Sequence, residues 1–213
     1  MIGNLLVRQQ TALRRMGKLG RLIMVRHGES EGNRDRRFTL SPEVPLTELG
    51  RQQAREAAQR IAKRFTPERI ISSPYRRARQ TSDIIAGELG LSIEVVHDLH
   101  ERELGVLKGQ SYDLLRDLAG QDSGYDPKRG WLWRPEGGES YEDVRQRVSI
   151  AIDEIRERYP DQELVVVSHG GVMLSMWAHL TGVWETAHMP GNCGIVLVEH
   201  EPARVHSPKL ITD

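Results

Sequence analysis

The chain has 213 residues, 38% of them hydrophobic and 28% charged, and its 30 basic side chains balance 30 acidic ones. Such a composition is typical of a single globular domain. Because the formal net charge is zero, no global field favours nucleic acid, and the apolar runs are too short to span a bilayer. The one cysteine, Cys193, excludes an internal disulfide and favours a reducing compartment, so we expect a cytoplasmic protein.

Residues 1–20 are basic, and the first acidic residue of the chain is Glu29. A segment of this kind is typical of a mitochondrial presequence, but an extra helical turn, or an upstream start codon with Met16 as the true start, also explains it. We favour the last two explanations, because presequences are normally richer in serine. We therefore treat 1–20 as an N-terminal extension and 21–213 as the domain.

From residue 22 onward the hydrophobic pattern alternates between strands and helices. An apolar run without polar alternation predicts a buried strand, and helical spacing after a capping residue predicts a helix. Thr47 is such a cap, and Ser140 with Asp143 forms a capping-box pattern. The predicted strands are 22–26, 69–72, 92–96, 163–168 and 194–200. The predicted helices are 48–65, 73–90, 140–159 and 172–180.

This alternation predicts an α/β fold in which a mostly parallel sheet is covered by helices on both faces. Residues 102–139 do not follow the alternation of strands and helices, and they are rich in Gly, Asp, Trp and Tyr. We therefore expect an excursion or lid over one end of the sheet. A packed excursion without a binding role is an equal alternative. The side chains that would meet a second anionic group or wall a pocket are Lys128, Arg129, Trp131, Trp133 and Arg134.

Two of the predicted strands end on a histidine that is followed by glycine, in the stretches VRHG and VSHGG. Ligands of open α/β sheets bind beyond the carboxyl ends of the strands, so His27 and His169 are expected at the same edge. The glycines let backbone N–H groups approach a ligand, and the second pair opens a helix whose N-terminus favours an anion. Two histidines in matching contexts therefore indicate an anion site.

Arginines surround this predicted site. Arg26 precedes His27, and Arg76 and Arg77 stand at a helix start, where cations oppose the helix dipole. An anionic ligand explains this placement better than helix stability does, and we expect one arginine of that turn to point inward.

A phosphoryl group suits these residue types. Arginines bind its oxygens bidentately, and a neutral imidazole is a nucleophile that can carry phosphate covalently. The leaving alkoxide then needs a proton, for which the stretch HERELG offers Glu101 and Glu103. Spacing alone does not choose between these two glutamates.

Two other kinds of site are weaker alternatives. His97 and His100 are three residues apart, but no set of convincing ligand spacing surrounds them, so we predict no metal and no cofactor. Cys193 as a nucleophile lacks any local activating pattern.

The ordered motifs RHGES…N, SSPYRRARQT, HERELGVLKG, GGES and SHGG resemble those of the histidine phosphatase superfamily, which includes the cofactor-dependent phosphoglycerate mutases. The resemblance runs from about residue 22 to the segment GNCGIVLVEH. It implies the α/β sandwich of that superfamily, no metal, and a small phosphorylated metabolite or other phosphomonoester as substrate. We expect no nucleic-acid or membrane partner, and a homo-oligomer stays open.

The resemblance also implies roles for individual residues. His27 corresponds to the nucleophile that becomes phosphohistidine, and Glu101, four residues before Gly105, corresponds to the proton donor, which decides against Glu103. The residues implied to bind the equatorial phosphoryl oxygens are Arg26, Arg77 and His169. Those implied in the remaining substrate contacts are Ser30, Asn33, Thr39 and Gly170.

The same motifs bear on whether the enzyme is a phosphatase or a mutase. Residues 37–43, RFTLSPE, keep only RFT of the mutase pattern RFTGWxD. The basic segment with which mutases hold the phosphoglycerate carboxylate has no clear counterpart in 110–126. A mutase must retain the dephosphorylated acid, so we predict a phosphatase, with a mutase as the alternative. A third alternative, an inactive binding module, is disfavoured because every chemical position carries the required residue type.

Overall fold

The computed structural model of the chain describes residues 19–119, 126–201 and 204–211. The predicted N-terminal extension lies, up to residue 18, outside the described residues, and its boundary at residue 20 stays a prediction. The strands are β1 (Gly20–Arg26), β2 (Arg69–Ser72), β3 (Ile93–Val95), β4 (Glu163–Ser168), β5 (Ile195–Glu201), β6 (Arg204–Val205) and β7 (Lys209–Ile211). The α-helices are α1 (Glu31–Arg34), α2 (Glu48–Arg64), α3 (Arg76–Leu89), α4 (Leu114–Ala119), α5 (Tyr141–Arg158) and α6 (Gly170–Thr181).

The described strands form one sheet in the order β3-β2-β4-β1-β5, with β6 and β7 both paired to β5. Strands β1 to β4 are parallel to one another. Strand β5 runs antiparallel to β1, and β6 and β7 run antiparallel to β5. The predicted α/β fold is confirmed, and the antiparallel side of the sheet is a feature that the apolar pattern alone did not indicate.

Helices cover both faces of the sheet, as predicted. Leu22 and Met24 of β1 face one core, shared with α5 and α6, while Ile23 and Val25 face the other, shared with α2 and α3. Successive residues of a strand point to opposite faces, so a strand with a core on each side must be apolar throughout. This explains the unbroken apolar run of β4, the central strand, whose residues are all buried.

Helices α2 and α5 begin at the capping residues that the sequence predicted. The Thr47 hydroxyl accepts the Gly50 N–H at 3.0 Å at the start of α2. Ser140 and Asp143 form a reciprocal capping box at the start of α5. Helix α3 ends at Gly90, whose φ of 69° is the left-handed conformation that a residue without Cβ adopts at little cost. Within the described part of the chain, none of the helices has the length and apolarity needed to cross a membrane.

The register of the sheet decides where the functional side chains meet. Arg26 is opposite Ser168 in the β1–β4 pair, and Ser72 is opposite Val167 in the β2–β4 pair. The carboxyl ends of three adjacent strands therefore lie at one edge of the sheet. The residues that follow them, including His27 after β1, continue from that edge.

Candidate active site

A cavity of about 190 Å³ opens at this edge of the sheet. The predicted site residues that line it are Arg26, His27, Asn33, Thr39, Arg77, Glu101 and Gly170. Ser30 and His169 are not among the lining residues, but both are buried and contact residues that are, Ser30 through Asn33 and His169 through His27. The nine residues singled out from the sequence thus belong to one part of the structure, although they come from segments up to 144 positions apart in the chain.

Two hydrogen bonds fix the state of the His27 ring. Its Nδ1 lies 2.7 Å from the Gly28 carbonyl oxygen, which only accepts, so Nδ1 carries the proton. Its Nε2 accepts the Nε–H of Arg77 at 3.1 Å and so carries the lone pair. Burial of the ring, followed by the charges of Arg77 and Arg26, lowers the pKa of His27 well below its ordinary value. His27 is therefore a neutral imidazole with its lone pair on Nε2, the form that attacks an electrophile.

Arg77 and Arg26 bring two guanidinium groups to the same place. Arg77 is 1% exposed, whereas Arg76 of the same turn is exposed, so Arg77 is the arginine that points inward. Burial lowers the pKa of Arg77. Arg26 donates to the Pro190 carbonyl oxygen at 2.9 Å. Among the described residues, Nη1 of Arg77 and Nε of Arg26 are buried without a hydrogen-bond partner. Buried cations with unused donors favour an anion at this point.

His169 lies beside His27 and is fully buried. The two ring centroids are 5.2 Å apart, in an edge-to-face arrangement. Nε2 of His169 is 2.7 Å from the Ser73 hydroxyl, while its Nδ1 is buried with no partner in the described part of the chain. Burial is the main cause that lowers the pKa of His169 well below its ordinary value, and the charge of Arg77 adds to it.

Glu101 places a carboxyl group in the wall of the cavity. Its Oε1 accepts the Arg102 N–H at 2.8 Å, and its Oε2 lies 3.3 Å from the Gly171 N–H at the start of α6. A Cβ at Gly171 would lie 2.5 Å from Oε1, so the close approach of this carboxyl group requires glycine there.

Glu103 is held away from the cavity. It forms an ion pair with Lys108 at 2.8 Å and accepts the Tyr75 hydroxyl at 2.9 Å. Burial raises the pKa of Glu103, but the hydrogen bonds from Lys108 and Tyr75 outweigh burial and hold it below its ordinary value. Of the two candidate acids, Glu101 is the one that lines the cavity.

Asn33 lines the cavity, and hydrogen bonds to three neighbouring side chains determine the orientation of its amide. Its Oδ1 accepts the Ser30 hydroxyl at 3.0 Å and the Asn192 Nδ2–H at 3.1 Å, and its Nδ2 donates to the Tyr112 hydroxyl at 3.1 Å. Asn192 also donates to the backbone oxygen of His27 at 3.1 Å. Ser30, 1% exposed, thus acts on Asn33, and a direct contact of Ser30 with substrate stays a prediction.

Arg102 adds a third cation to the cavity wall. It is 5% exposed, donates to the backbone oxygens of Glu139 at 2.6 Å and Trp133 at 3.1 Å, and lies 4.3 Å from the Tyr141 ring centroid. The Glu139 carboxylate is paired with Arg147 at 2.9 Å, and no described carboxylate forms an ion pair with Arg102. The described partners of the Arg102 guanidinium are thus backbone oxygens and an aromatic ring, and they hold this cation in the cavity wall.

The two alternative sites considered from the sequence were a metal site and a cysteine nucleophile, and the described residues form neither. No three His, Cys, Asp or Glu side chains among them are grouped closely enough to hold a metal ion. His100 places its Nδ1 2.8 Å from the Glu101 carbonyl oxygen. Cys193 is buried, and burial raises the pKa of its thiol to about 12, so the thiol stays protonated at neutral pH.

The comparison with protein families shows to which family the chain belongs. The family model of the histidine phosphatase superfamily (branch 1) matches residues 22–210. The chain belongs to the histidine phosphatase superfamily.

Relatives within the superfamily carry both kinds of activity in their names. "Phosphoglycerate mutase-like protein 4" of Arabidopsis thaliana is 33% identical over 158 residues, which are 73% of this chain and 69% of the relative. A glucosyl-3-phosphoglycerate phosphatase of Mycolicibacterium vanbaalenii is 32% identical over 173 residues, 78% of this chain and 76% of the relative. A solved structure of a mycobacterial glucosyl-3-phosphoglycerate phosphatase in complex with VO3 has a TM-score of 0.76 at 29% identity, covering 90% of this chain and 97% of that one.

In this histidine phosphatase, the structure favours the packed alternative for the five side chains named in 102–139. The cavity wall lacks Lys128, Arg129, Trp131, Trp133 and Arg134. Arg134 forms an ion pair with Asp143 at 2.6 Å, and the Trp131 ring stacks on Trp184 with centroids 5.9 Å apart. Lys128 and Arg129 are exposed. The excursion instead contributes Arg102, Leu104 and Tyr112 to the wall.

Among the polar residues of the site that sequence reasoning missed are Arg102, Asn192 and Ser73. Arg102 directly follows Glu101, the predicted acid, so its position in the sequence could have indicated a cation in the site. Asn192 and Ser73 had no such signal, since each acts on a residue far away in the chain, Asn192 on His27 and Ser73 on His169.

Proposed function

We propose that this histidine phosphatase hydrolyses small phosphomonoesters in two steps, through a phosphohistidine on His27. The observation that carries the proposal is the state of the His27 ring: a buried, neutral imidazole whose lone pair on Nε2 lies against the guanidinium of Arg77. A nucleophile of this kind, surrounded by cations with unused donors, matches the demands of phosphoryl transfer.

In the first step, Nε2 of His27 attacks phosphorus as the P–O bond to the leaving group breaks. The phosphoryl oxygens take up the donors of Arg26, Arg77 and His169, which stabilise the charge on these oxygens. This frees Nε2 from its bond with Arg77. Glu101, in its protonated form, gives its proton to the leaving alkoxide, so that an alcohol departs.

In the second step, water replaces the alcohol. The Glu101 carboxylate removes a proton from the water, whose oxygen attacks phosphorus while the N–P bond to His27 breaks. The electron pair of that bond returns to Nε2. Inorganic phosphate is released, and both His27 and Glu101 regain their starting states.

Arg102 and the size of the cavity support a small substrate with a second anionic group. A volume of about 190 Å³ has room for a phosphoryl group together with a small alcohol part. The charge of Arg102 is available for a carboxylate or second phosphate on the alcohol part. The same feature favours the second candidate, a phosphoglycerate mutase, whose substrate is a phosphorylated acid.

Hydrolysis is favoured over mutase action because the cavity holds few other groups that would retain the acid after its phosphate has left. Lys108, the lysine nearest in sequence to the motif of Glu101, is paired with Glu103. A mutase needs to keep the dephosphorylated acid in place, whereas a phosphatase must release it. We also propose a cytoplasmic location, supported by the single cysteine, which is buried.

The test is a panel of phosphomonoesters, with and without carboxylates, scored for phosphate release beside an assay for phosphoglycerate interconversion. We expect phosphate release to exceed interconversion and the variant His27→Ala to lose it. Interconversion that exceeds release and needs a bisphosphate primer would instead establish the mutase. Absence of any turnover by the folded protein would revive the inactive binding module.

A further inference from the structure

Ser73 stands directly after β2 and touches His169, which follows the neighbouring strand β4. Both residues are fully buried. The Ser73 hydroxyl oxygen lies 2.7 Å from Nε2 of His169 and accepts the backbone N–H of Tyr75 at 3.3 Å. The Ser73 N–H itself donates to the Val167 oxygen of β4 at 3.0 Å, so the hydroxyl is tied to the strand that carries His169.

These contacts decide which nitrogen of His169 carries the proton. In the neutral ring, one nitrogen donates and the other accepts. If Nε2 donated to Ser73, the serine hydroxyl hydrogen would be buried without an acceptor among the described contacts, at a cost of about 1–3 kcal/mol. If Nε2 accepts from Ser73, both groups are satisfied, and the ring proton lies on Nδ1.

We infer that Ser73 is a positioning residue that fixes His169 as the Nδ1–H tautomer, so that the ring donates to a phosphoryl oxygen. Nδ1 is the nitrogen that has no partner within the described part of the chain. In the opposite tautomer, a lone pair on Nδ1 would repel a phosphoryl oxygen. This inference rests on the proposed function, since it assigns Nδ1 a phosphoryl oxygen as its acceptor.

Burial agrees with this role. The low pKa of His169 keeps the ring from gaining a second proton at neutral pH, so the tautomer alone decides whether Nδ1 is a donor. At metal sites, replacing a partner that orients a ligating imidazole typically costs about 10- to 100-fold in affinity or activity, and the same orienting effect acts here. We expect a loss of this size when the Ser73 hydroxyl is removed.

The test is the tautomer of His169 in the full chain, read from two-bond proton–nitrogen correlations after labelling histidine with ¹⁵N. Comparison with His169→Asn assigns the signals. In the wild type we expect protonated Nδ1 and unprotonated Nε2. In Ser73→Ala we expect this preference to be lost, and the inhibition constant of inorganic phosphate to rise about 10- to 100-fold. Ser73→Thr, which keeps the hydroxyl, should restore both.

Ser72→Ala is the matched control, because Ser72 is equally buried but its hydroxyl bonds, among the described residues, to the Ser73 backbone oxygen and the Ser82 hydroxyl. It should leave the His169 tautomer and the phosphate constant unchanged. A wild-type spectrum with protonated Nε2 would overturn the inference, and this result needs no variant to fold. An unchanged tautomer and phosphate constant in Ser73→Ala would overturn it too. Correct tautomer and phosphate binding without turnover of any ester would refute the proposed hydrolysis and leave this inference standing.

Discussion

Arg77 donates its Nε–H to Nε2 of His27 across 3.1 Å, and both side chains are buried. The bond exists because the Gly28 carbonyl oxygen holds the ring proton on Nδ1. One guanidinium therefore helps to keep the imidazole neutral and occupies its lone pair. In the mechanism that we propose, the same group binds phosphoryl oxygens, so that the arrival of the phosphoryl group releases the nucleophile.

Glu101 as the proton donor predicts a dependence on the leaving group. The variant Glu101→Gln should lose about 10²–10⁴-fold in kcat/KM for alkyl phosphates, whose alkoxides need a proton, and far less for nitrophenyl phosphate. A plot of log kcat/KM against the pKa of the leaving alcohol checks this. Glu103→Gln, which removes the carboxylate paired with Lys108, is the control and should leave the slope as in the wild type. An equal loss for all leaving groups in Glu101→Gln would contradict the role.

Arg102 as a binding group for a second anion predicts selective losses. Arg102→Gln should raise KM about 10- to 100-fold for phosphomonoesters that carry a carboxylate and change it little for uncharged alcohols, since a charge-assisted hydrogen bond is lost only with the former. Arg134→Gln removes an arginine paired with Asp143 outside the cavity and serves as the control. Equal losses for acidic and uncharged substrates would show that Arg102 has a structural role only.

Asn192 bridges the backbone oxygen of His27 and the amide of Asn33. Asn192→Ala should lower the free energy of unfolding by about 1–3 kcal/mol, because two hydrogen bonds are lost. It should also lower kcat/KM about tenfold, the order of one hydrogen bond no longer oriented toward the substrate. Urea unfolding and steady-state kinetics measure the two effects. A loss of stability with unchanged kcat/KM would contradict the positioning of Asn33.

Burial of His200 predicts acid sensitivity of the fold. Burial lowers the pKa of this 1% exposed side chain to about 4, against about 6.5 for a histidine in an unfolded chain. As the pH falls below about 6.5, the unfolded state gains the proton first, so the folded state loses stability. His200→Gln should therefore lose less stability between pH 7 and pH 5 than the wild type, by on the order of 1 kcal/mol in urea unfolding. Parallel curves for the two proteins would contradict this.

Local patterns in the sequence predicted most of the fold. The apolar run of β4 and the caps at Thr47 and Ser140 are features of neighbouring residues, so they needed no knowledge of the tertiary structure. The direction of β5 had no such local signal, because an apolar strand reads the same whether its partner is parallel or antiparallel.

The residues of the site also fall into those that a local pattern in the sequence predicted and those that no local pattern indicated. The histidines and arginines were found because they follow strand ends, which adjacent strands bring together. The contact of Ser73 with His169 joins positions 96 apart, and that of Asn192 with His27 joins positions 165 apart, so neither had a pattern in the sequence. The sequence left a binding and a packing role for Trp131 as equal alternatives, because its stacking partner, Trp184, lies outside the excursion.

The central claim is that His27 carries the phosphoryl group, and trapping that group tests it most directly. The enzyme is mixed with a labelled phosphomonoester, quenched within one turnover and digested for mass spectrometry. We predict one phosphate per chain on His27, labile to acid and stable to base, and none in His27→Ala. Turnover without label on His27, or undiminished turnover by His27→Ala, would contradict the account.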